Sequence, residues 1–385
     1  MRHESPLRGG DDATRADSRS VTHASCLMPR AFLVGPVFPY RAGIAFCTTR
    51  LARELQCDVI SFKRQFPKFL YPGGDDVDPT LPRADARFLL DIVNPLTWLR
   101  TALLLRRERP DAVILVWWIW VWALPYLTLL AFLPKSTRVV LQCHNIGDKE
   151  PAAWKRFLTN RVLRRGDALV VHARSEAADA ARRTTRPIVT TFLPVHELGG
   201  AIPSREEARR QLGLSGNVAL FFGHVRPFKG LDIALRAWRL LQTDATLVVA
   251  GEAWWKGEAE YRELARGLAN VRFELRFIPD AEIATYFAAC DVVLAPYRIE
   301  AQSGVALTAF HFARPVIATN VGGFPEILEA DMLVPPENPT ALARAVDAFF
   351  ARGDREALER RAAEAARKYS WEEYGRVFRD LVTGT

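Results

Sequence analysis

Two stretches in the second half of the chain combine cations, glycines and helix starts in a pattern that suits a diphosphate. Phe221–Trp238 reads as an apolar strand ending at Gly223, a short loop with Arg226 and Lys229, and a helix that begins near Gly230. Two cations beside the positive N-terminal end of a helix, where backbone amides are free, favour phosphate binding. The Walker A pattern of nucleoside triphosphatases is absent from the sequence. The alternative is a surface loop whose two cations are solvated.

The second stretch, Tyr297–Leu328, places a carboxylate before another helix start. Glu300 lies in a loop that leads to Ser303 and Gly304, small residues that let a ligand approach the backbone amides of a helix N-terminus. A carboxylate over such a pocket can hold sugar hydroxyls or stabilise positive charge developing on a sugar carbon. The alternative for a lone glutamate in a loop is a solvated side chain.

Alternating strand-like and helix-like segments predict the elements that position these loops. One alternating run occupies the first half of the chain, and a second begins near residue 204. Such alternation is typical of parallel sheets, and two runs predict an α/β protein with two doubly wound Rossmann-like domains and ligand sites at the carboxyl ends of the strands. The predicted strands are 31–37, 58–62, 112–118, 137–143, 168–172, 218–223, 246–250, 271–275, 291–296, 315–319 and 332–334; the predicted helices are 44–56, 97–108, 122–133, 151–164, 174–183, 204–212, 230–241, 257–268, 280–289, 304–313, 338–351, 354–368 and 371–382.

Pro and Gly residues near Leu193–Pro203 predict the linker between the two domains. Residues 1–27 are polar and without period, which indicates a disordered extension. The predicted domains are therefore 28–195 and 196–370, and 371–385 is predicted to be a C-terminal helix that returns to the first domain.

Composition excludes several classes of protein. The chain has 385 residues, of which 49% are hydrophobic and 25% charged, as in a soluble globular protein rather than a collagen or a disordered chain. Its five cysteines include no CxxC pair, which argues against a disulfide framework or a zinc site and favours a reducing compartment. The first 27 residues lack the apolar core of a secretory signal, so we expect a cytoplasmic protein.

The excess of positive over negative charge is confined to the first half of the chain. Residues 1–200 carry 29 Lys and Arg against 19 Asp and Glu, whereas residues 201–385 carry 23 against 25. This asymmetry suggests an anionic partner for the first domain, such as a membrane surface, a phosphorylated lipid or a nucleic acid. The absence of zinc-finger spacing, RNP-like strands and long basic runs argues against a nucleic acid. An Arg-rich overall composition is the alternative explanation.

The longest uncharged run, residues 112–134, has two interpretations. It is long enough to span a bilayer, but it carries Pro125 and a cluster of Trp residues that prefer the membrane interface. The β-branched part at Val113–Trp118 followed by a helix at Ala123–Leu133, with Pro125 in its first turn, predicts a buried strand and a helix instead. In that case the Trp-rich segment could still leave an apolar patch that rests on a membrane.

A loop with alternating cations and aromatic residues is predicted after the second strand. Residues 62–73 include Lys63, Arg64 and Lys68 between Phe and Tyr residues. We predict that this loop contacts an acceptor phosphate or anionic lipid headgroups, which implies peripheral attachment to the inner face of the plasma membrane. The alternative is a partly packed loop.

The stretches 221–238 and 297–328 resemble the donor-binding domain of family 4 retaining glycosyltransferases, also named glycosyl transferases group 1. These enzymes have the GT-B fold. The resemblance rests on Gly223, the Lys229–Gly230 pair, Glu300 and the PVIATNVGGFPE segment at 315–326. In the first half, Ala42-Gly43 resembles the glycine-rich acceptor loop of the family, and Cys143-His144-Asn145 with Glu150 resembles its HN-x4-E segment. The resemblance covers about residues 28–380.

This resemblance implies a retaining transfer of a sugar from a nucleotide-diphosphate sugar to a glycan, glycolipid or lipid-linked acceptor, in surface polysaccharide or glycolipid synthesis, with neither metal nor cofactor. The first domain would bind the acceptor and the second the nucleotide sugar. The implied residues are Glu300 and His144 for catalysis; Arg226, Lys229, Ser303, Gly304 and Val305 for the diphosphate; Gly223, Thr308, Gly322, Gly323 and Glu326 for the nucleotide or sugar; and Ala42, Gly43, Lys63, Arg64 and Lys68 for the acceptor side. His172, at another strand end, is a weaker candidate of the same kind as His144.

Three positions depart from the family pattern. His224 replaces an arginine, Thr308 replaces the glutamate that holds the ribose, and Ala42 replaces a glycine. Arg226 could substitute for the missing arginine. A non-catalytic scaffold, a nucleotide-sugar epimerase and a phosphorylase therefore stay open as alternatives. The sequence Asp76-Val-Asp78 resembles a metal-binding motif of other glycosyltransferases, but its Gly- and Pro-rich surroundings predict a solvated turn.

Overall fold

The structure, a computed structural model, contains two parallel β-sheets. It describes residues 29–41, 43–66, 77–78, 81–146, 152–195, 201–253, 257–299 and 303–384. The first sheet has seven strands in the order β3-β2-β1-β4-β5-β6-β7, and the second has six in the order β10-β9-β8-β11-β12-β13. Both orders reverse beside the first strand of the sheet, and such a switch point opens a crevice at the carboxyl ends of the strands. The prediction of two doubly wound Rossmann-like sheets is confirmed.

The first sheet is built from β1 (Ala31–Val34), β2 (Asp58–Arg64), β3 (Arg87–Asp91), β4 (Ala112–Trp117), β5 (Arg138–Cys143), β6 (Ala168–Val171) and β7 (Ile188–Thr190). Its helices are α1 (Gly43–Leu55), α2 (Pro95–Glu108), α3 (Ala123–Phe132), α4 (Ala153–Leu163) and α5 (Arg174–Ala181).

The second sheet is built from β8 (Asn217–Phe222), β9 (Ala245–Ala250), β10 (Val271–Glu274), β11 (Val292–Ala295), β12 (Val316–Thr319) and β13 (Leu333–Val334). Its helices are α6 (Arg205–Leu212), α7 (Leu231–Trp238), α8 (Glu258–Leu264), α9 (Asp280–Ala289), α10 (Gly304–His311), α11 (Phe324–Ile327), α12 (Pro339–Ala351) and α13 (Arg355–Lys368), and the last helix of the chain is α14 (Trp371–Thr383).

Helices cover both faces of the first sheet. Along β4 every residue is buried; Val113 and Leu115 belong to a core shared with α2, α3 and α4, and Ile114 and Val116 belong to a core shared with α1 and α14. Because successive side chains of a strand point to opposite faces, one continuous apolar run supplies both cores.

The last helix packs on the first sheet rather than on the second. Tyr374 and Phe378 of α14 are fully buried in the core beside α1. Arg379 binds Glu54 of α1 at 3.1 Å, and the Trp371 indole donates to the carbonyl of Val195 at 2.9 Å. The chain thus crosses between the two sheets a second time.

The Trp-rich run does not form one helix. Residues 112–134 divide into β4, a 3₁₀ turn at Trp120–Trp122 and α3, with Trp117 and Trp122 buried. The strand-and-helix interpretation is confirmed. In the part of the chain that the structure describes, every helix is too short or too polar to traverse a bilayer.

Some elements were not predicted. The edge strands β3 and β7 have the short sequences RFLLD and IVT, which lack the long apolar run of a strand paired on both sides. The solvated turn predicted at Asp76-Val-Asp78 is wrong for Asp78, which is 5% exposed and whose amide donates to the Pro39 carbonyl at 2.8 Å. Asp76 lies outside the described residues.

Candidate functional site

The turn after β8 brings three predicted donor-site residues together. Gly223 has φ +92°, a conformation that side chains rarely adopt. A Cβ atom at this position would lie 3.1 Å from the Lys229 Nζ and 3.5 Å from the Val305 side chain. The ammonium of Lys229 and the first turn of α10 therefore meet over the bare backbone of Gly223.

Gly230 seats the start of α7 against the end of β11. Its φ is +70°, and a Cβ there would overlap the carbonyl oxygen of Pro296. The Arg298 amide donates to the Phe228 carbonyl at 2.7 Å, and its guanidinium binds Asp232 of α7 in a two-point ion pair. These contacts fix the Arg226–Gly230 loop to the strand end that leads toward Glu300.

Lys229 lies on an aromatic platform. Its Nζ is 5.3 Å from the centroid of the Tyr297 ring, and Phe324, at the start of α11, contacts the same ring edge-on at 5.5 Å. Tyr297 and Phe324 are each 1% exposed. The cation therefore lies on a buried ring that Phe324 in turn fixes, so little side-chain freedom is left to lose when an anion binds.

The helix α10 starts as predicted, but one of its residues is already engaged. The Ser303 hydroxyl caps the helix by accepting from the Ala306 amide, and space is open beside the Cα of Gly304. Thr308 is buried, and its hydroxyl donates to the Gly304 carbonyl at 2.8 Å. Only acceptor capacity of Thr308 is left, so the side chain is poorly suited to replace a carboxylate that holds a ribose.

Three cations surround His224. Burial, followed by the charges of Lys229, Arg226 and Arg41, lowers the pKa of His224 to about 4. Its Nδ1 lies 4.0 Å from a carboxylate oxygen of Glu252. The imidazole is neutral at pH 7, so the positive field around it comes from the other three side chains.

Arg41 reaches this cluster from the first sheet. It stands immediately before α1, its guanidinium lies 4.9 Å from the centroid of the Phe277 ring, and its Nε is buried without a hydrogen-bond partner among the described residues. Arg41 was not among the residues predicted from the sequence; the signal was its position directly before the Ala42-Gly43 pair.

His144 lies at one end of a row of buried polar side chains. Its ring centroid is 5.0 Å from that of His172, whose Nε2 is 2.7 Å from the Tyr374 hydroxyl, and this hydroxyl accepts from the Gln142 side chain at 2.8 Å. The Tyr374 proton is thereby directed to His172, and the other ring nitrogen of His172 donates to the Cys143 backbone. Burial lowers the pKa of His144 to about 4 and also lowers that of His172.

The Nε2 of His144 is buried and has no hydrogen-bond partner among the residues described. Because His144 is neutral at pH 7 and follows the carboxyl end of β5, this nitrogen is an unused hydrogen-bonding group at that edge of the sheet.

Glu326 makes a contact between the two sheets' domains. Its carboxylate accepts from the Arg174 amide at the start of α5 at 2.8 Å. The neighbouring Gly322 has φ +56° and turns the chain from β12 into α11. This places Glu326, which was predicted to contact the donor, at the N-terminus of α5 in the first domain. Gly323 lies in the turn directly before α11.

The predicted acceptor-side residues that the structure describes lie on α1 and β2. Gly43 starts α1 with open space beside its Cα, and Lys63 is exposed near the carboxyl end of β2. Arg64 binds Asp91 of β3 at 2.7 Å, so its charge is already paired. Ala42, Lys68, Glu150 and Glu300 lie outside the described residues.

The geometry suits an anion with several negative oxygens. Lys229 and the first turn of α10 meet over the Gly223 backbone, three cations surround the neighbouring His224, and the neutral imidazole of His144, with its Nε2 unpartnered, stands at the carboxyl edge of the first sheet. Such an arrangement can neutralise a diphosphate and hydrogen-bond a neutral hydroxyl.

Comparisons with known proteins show which sequences and folds this chain is similar to. Residues 216–352 match the family described as glycosyl transferases group 1. A D-inositol 3-phosphate glycosyltransferase of Geodermatophilus obscurus is 30% identical over 278 residues, covering 65% of this chain and 59% of that protein. The relative with the same name from Corynebacterium urealyticum is 28% identical over 62% of each chain. The chain thus spans less than two thirds of the length of these relatives.

Solved structures share the fold. Sucrose-phosphate synthase from Thermosynechococcus elongatus superimposes with a TM-score of 0.74 at 19% identity, over 92% of this chain and all of that one. HepE of Anabaena in complex with UDP-glucose superimposes with a TM-score of 0.70 at 16% identity, with the same coverage. The second domain thus matches the group 1 glycosyltransferases, and the chain shares the GT-B fold of these solved structures.

Proposed function

We propose that the protein transfers a sugar from a nucleotide-diphosphate sugar to a glycan, glycolipid or lipid-linked acceptor, with retention of anomeric configuration. The observation that carries the proposal is the convergence of Lys229, Arg226 and Arg41 around neutral His224, beside the open backbone of Gly223. The group 1 family and a neighbour that is bound to UDP-glucose support a nucleotide sugar as the donor.

The leaving diphosphate would be neutralised by fixed groups of the second domain. Lys229 and Arg226 supply charge, and the amides of Ser303–Val305 supply the positive end of α10. Fixed groups that stabilise charge as it develops on the leaving group often account for most of the rate enhancement of an enzyme. We propose that these groups make a metal ion unnecessary, so that transfer in EDTA equals transfer in Mg²⁺ or Mn²⁺; a strict requirement for either ion would contradict this part.

The sugar would be held between Glu300 and His144. Glu300 would bind sugar hydroxyls, and the neutral Nε2 of His144 would accept from a hydroxyl of the donor or the acceptor. Retention then requires attack from the face that the diphosphate leaves. Proton NMR of the first product resolves the anomer, and an inverted product would overturn the retaining mechanism.

Two acceptor classes have support. The excess positive charge of the first half favours an acceptor at the inner face of the plasma membrane, in synthesis of a surface polysaccharide or glycolipid. The names of the relatives favour an inositol phosphate, which is a phosphorylated polyol.

The deciding experiment is a binding and turnover screen. Calorimetry with UDP, GDP, ADP and their sugars identifies the donor, and release of free nucleotide is then measured with and without each acceptor class. A transferase releases nucleotide faster with its acceptor; an epimerase converts the donor without one, and a non-catalytic scaffold binds none of the nucleotides.

A further inference from the structure

Exposed apolar side chains are concentrated on one face of the first domain. In the part of the chain that the structure describes, seven of the ten exposed large hydrophobic residues fall between residues 93 and 157. Six of these seven are on helices and are 39–62% exposed: Leu96, Leu99 and Leu103 of α2, Leu124 of α3, and Trp154 and Phe157 of α4. Isolated exposed leucines are ordinary, but a contiguous group indicates a contact surface.

The three helices form a single layer. Helix α3 contacts α2 on one side and α4 on the other, and the buried faces of all three share one core with the first sheet. Their outward faces therefore point to the same side of the domain. On α2, Leu96, Leu99 and Leu103 follow the i, i+3, i+7 spacing of one helix face.

Cations are interleaved with these apolar residues. Arg100, Arg106 and Arg107 are exposed on α2, and Arg156 and Arg161 are exposed on α4. The described residues offer no carboxylate partner within ion-pair distance to Arg100, Arg106, Arg107 or Arg161, and Arg161 instead lies 5.3 Å from the Phe157 ring. We name this surface, with the six apolar residues above, the apolar–basic face.

The charge of this face selects its partner. Glu108 is the sole carboxylate in the sequences of α2, α3 and α4, and it is paired with Arg30. A second copy of the chain would bring like charges together, whereas an anionic surface is attracted. Leucine, tryptophan and phenylalanine side chains that project between arginines are typical of surfaces that insert shallowly at the level of lipid headgroups.

The apolar residues also lie toward the edge of the domain where strands end. Leu124 is in the first turn of α3, Trp154 and Phe157 are in the first two turns of α4, and these helices follow the carboxyl ends of β4 and β5. His144 directly follows β5. The same edge of the sheet therefore carries the His144 imidazole and three of the exposed apolar side chains.

We propose that the apolar–basic face is a docking surface for a bilayer that contains anionic lipid, and that docking presents the membrane to the carboxyl edge of the first sheet. That the acceptor is linked to a lipid rests on the proposed function. The docking surface itself is inferred from the exposed residues of α2, α3 and α4. It lies apart from the two locations expected from the sequence, the Trp-rich segment, in which Trp117 and Trp122 are buried, and the loop after β2, in which Arg64 is paired with Asp91.

The test is flotation of the full chain with vesicles of phosphatidylcholine, with or without phosphatidylglycerol. We expect binding to the anionic vesicles that weakens with salt, and a loss of about tenfold in affinity in the Leu96→Glu/Phe157→Glu variant. The matched control is Ile202→Glu/Leu240→Glu, which makes the same change at two exposed residues of the second domain and should bind as the unaltered protein does.

Equal vesicle binding by all three proteins, or none by the unaltered protein, would overturn the proposal. So would light scattering that shows a dimer of the unaltered protein which Leu96→Glu/Phe157→Glu converts to a monomer, because the face would then join two copies. Nucleotide affinity of each variant, measured without lipid, separates this result from the proposed function: loss of vesicle binding with normal nucleotide binding concerns the face alone.

Discussion

A substitution at one position of the donor site is balanced by its neighbours. His224 replaces the arginine of the family pattern and is neutral at pH 7, because burial and three nearby cations disfavour its protonation. The charge that an arginine would supply is available from Arg226 and Arg41, the second of which belongs to the first domain. A diphosphate at this position would thus meet cations from both domains.

Replacing Lys229 tests the diphosphate assignment. We expect Lys229→Ala to weaken nucleotide-diphosphate affinity about 10- to 100-fold, since a charge-assisted hydrogen bond contributes about 1.5–3 kcal/mol. Calorimetry measures the affinity, and the unfolding temperature should change little because Lys229 lies on top of the Tyr297 ring rather than within the core. Lys135→Ala, at an exposed lysine of the first domain, is the control. Unchanged affinity in Lys229→Ala would refute the assignment.

His144 gives the stability a dependence on pH. Its pKa is about 4 in the folded protein and near 6.5 in the unfolded chain, so between these values the unfolded state binds the proton and the folded state does not. The contribution of His144 to the free energy of unfolding is complete above pH 6.5 and is lost progressively as the pH decreases toward 4. Between pH 7 and pH 5, we expect the free energy of unfolding of His144→Gln, measured by urea denaturation, to fall by about 1–2 kcal/mol less than that of the unaltered protein. Parallel losses in both proteins would contradict the buried neutral imidazole.

At the scale of elements, the donor site is a junction of three strand ends. The loop after β8, the start of α10 after β11 and the turn from β12 into α11 meet around Lys229, Val305 and Phe324. Each loop is short, so the sheet that positions the strands also positions the cations. Rigid strands explain how flexible side chains come to be held in one place.

Replacing Gly230 tests the packing of α7 against the end of β11 at this junction. Gly230→Ala must adopt a positive φ and also displaces the Pro296 carbonyl, so α7 would separate from the end of β11. We expect a destabilisation of about 2–4 kcal/mol together with a loss of nucleotide affinity. Gly216→Ala is a close control, because Gly216 has φ +66° with open space around its Cα. If the two variants behave alike, the contact with Pro296 has no role beyond backbone strain.

On the scale of the whole molecule, the chain ties its two domains together at several points. Glu326 binds the start of α5, Arg41 packs on Phe277, and α14 returns from the second sheet to cover the first. The two domains are thus linked by side-chain contacts and by the last helix of the chain.

Because α14 packs on the first sheet, we predict that the stability of the first domain depends on this helix. Phe378→Ala removes a fully buried ring beside α1 and should cost about 3–5 kcal/mol. The transition of the first domain should move in calorimetric scans, while the nucleotide should still stabilise the second domain. Arg376→Ala, at an exposed position of the same helix, should leave both transitions in place. A shift confined to the nucleotide-stabilised transition would show that α14 belongs to the second domain.

Sequence by itself determined the two alternating runs, the position of each loop that carries the predicted donor residues, and the resemblance to the group 1 glycosyltransferases. Strands such as β4 are buried on both faces, so their sequences are continuous apolar runs, and glycines such as Gly223 mark backbone that other residues rarely adopt. Local patterns are sufficient for such features because the physical constraint acts on neighbouring residues.

Only the tertiary structure decided what distant segments do to each other. Arg41 and His224 are far apart in the chain, so nothing in the sequence showed that one would help to keep the other neutral. Thr308 and Arg64 proved to be engaged by Gly304 and Asp91, and the apolar–basic face emerged only when α2, α3 and α4 were placed in one layer. Burial, pairing and shared surfaces depend on contacts between elements, and spacing along one chain does not encode them directly.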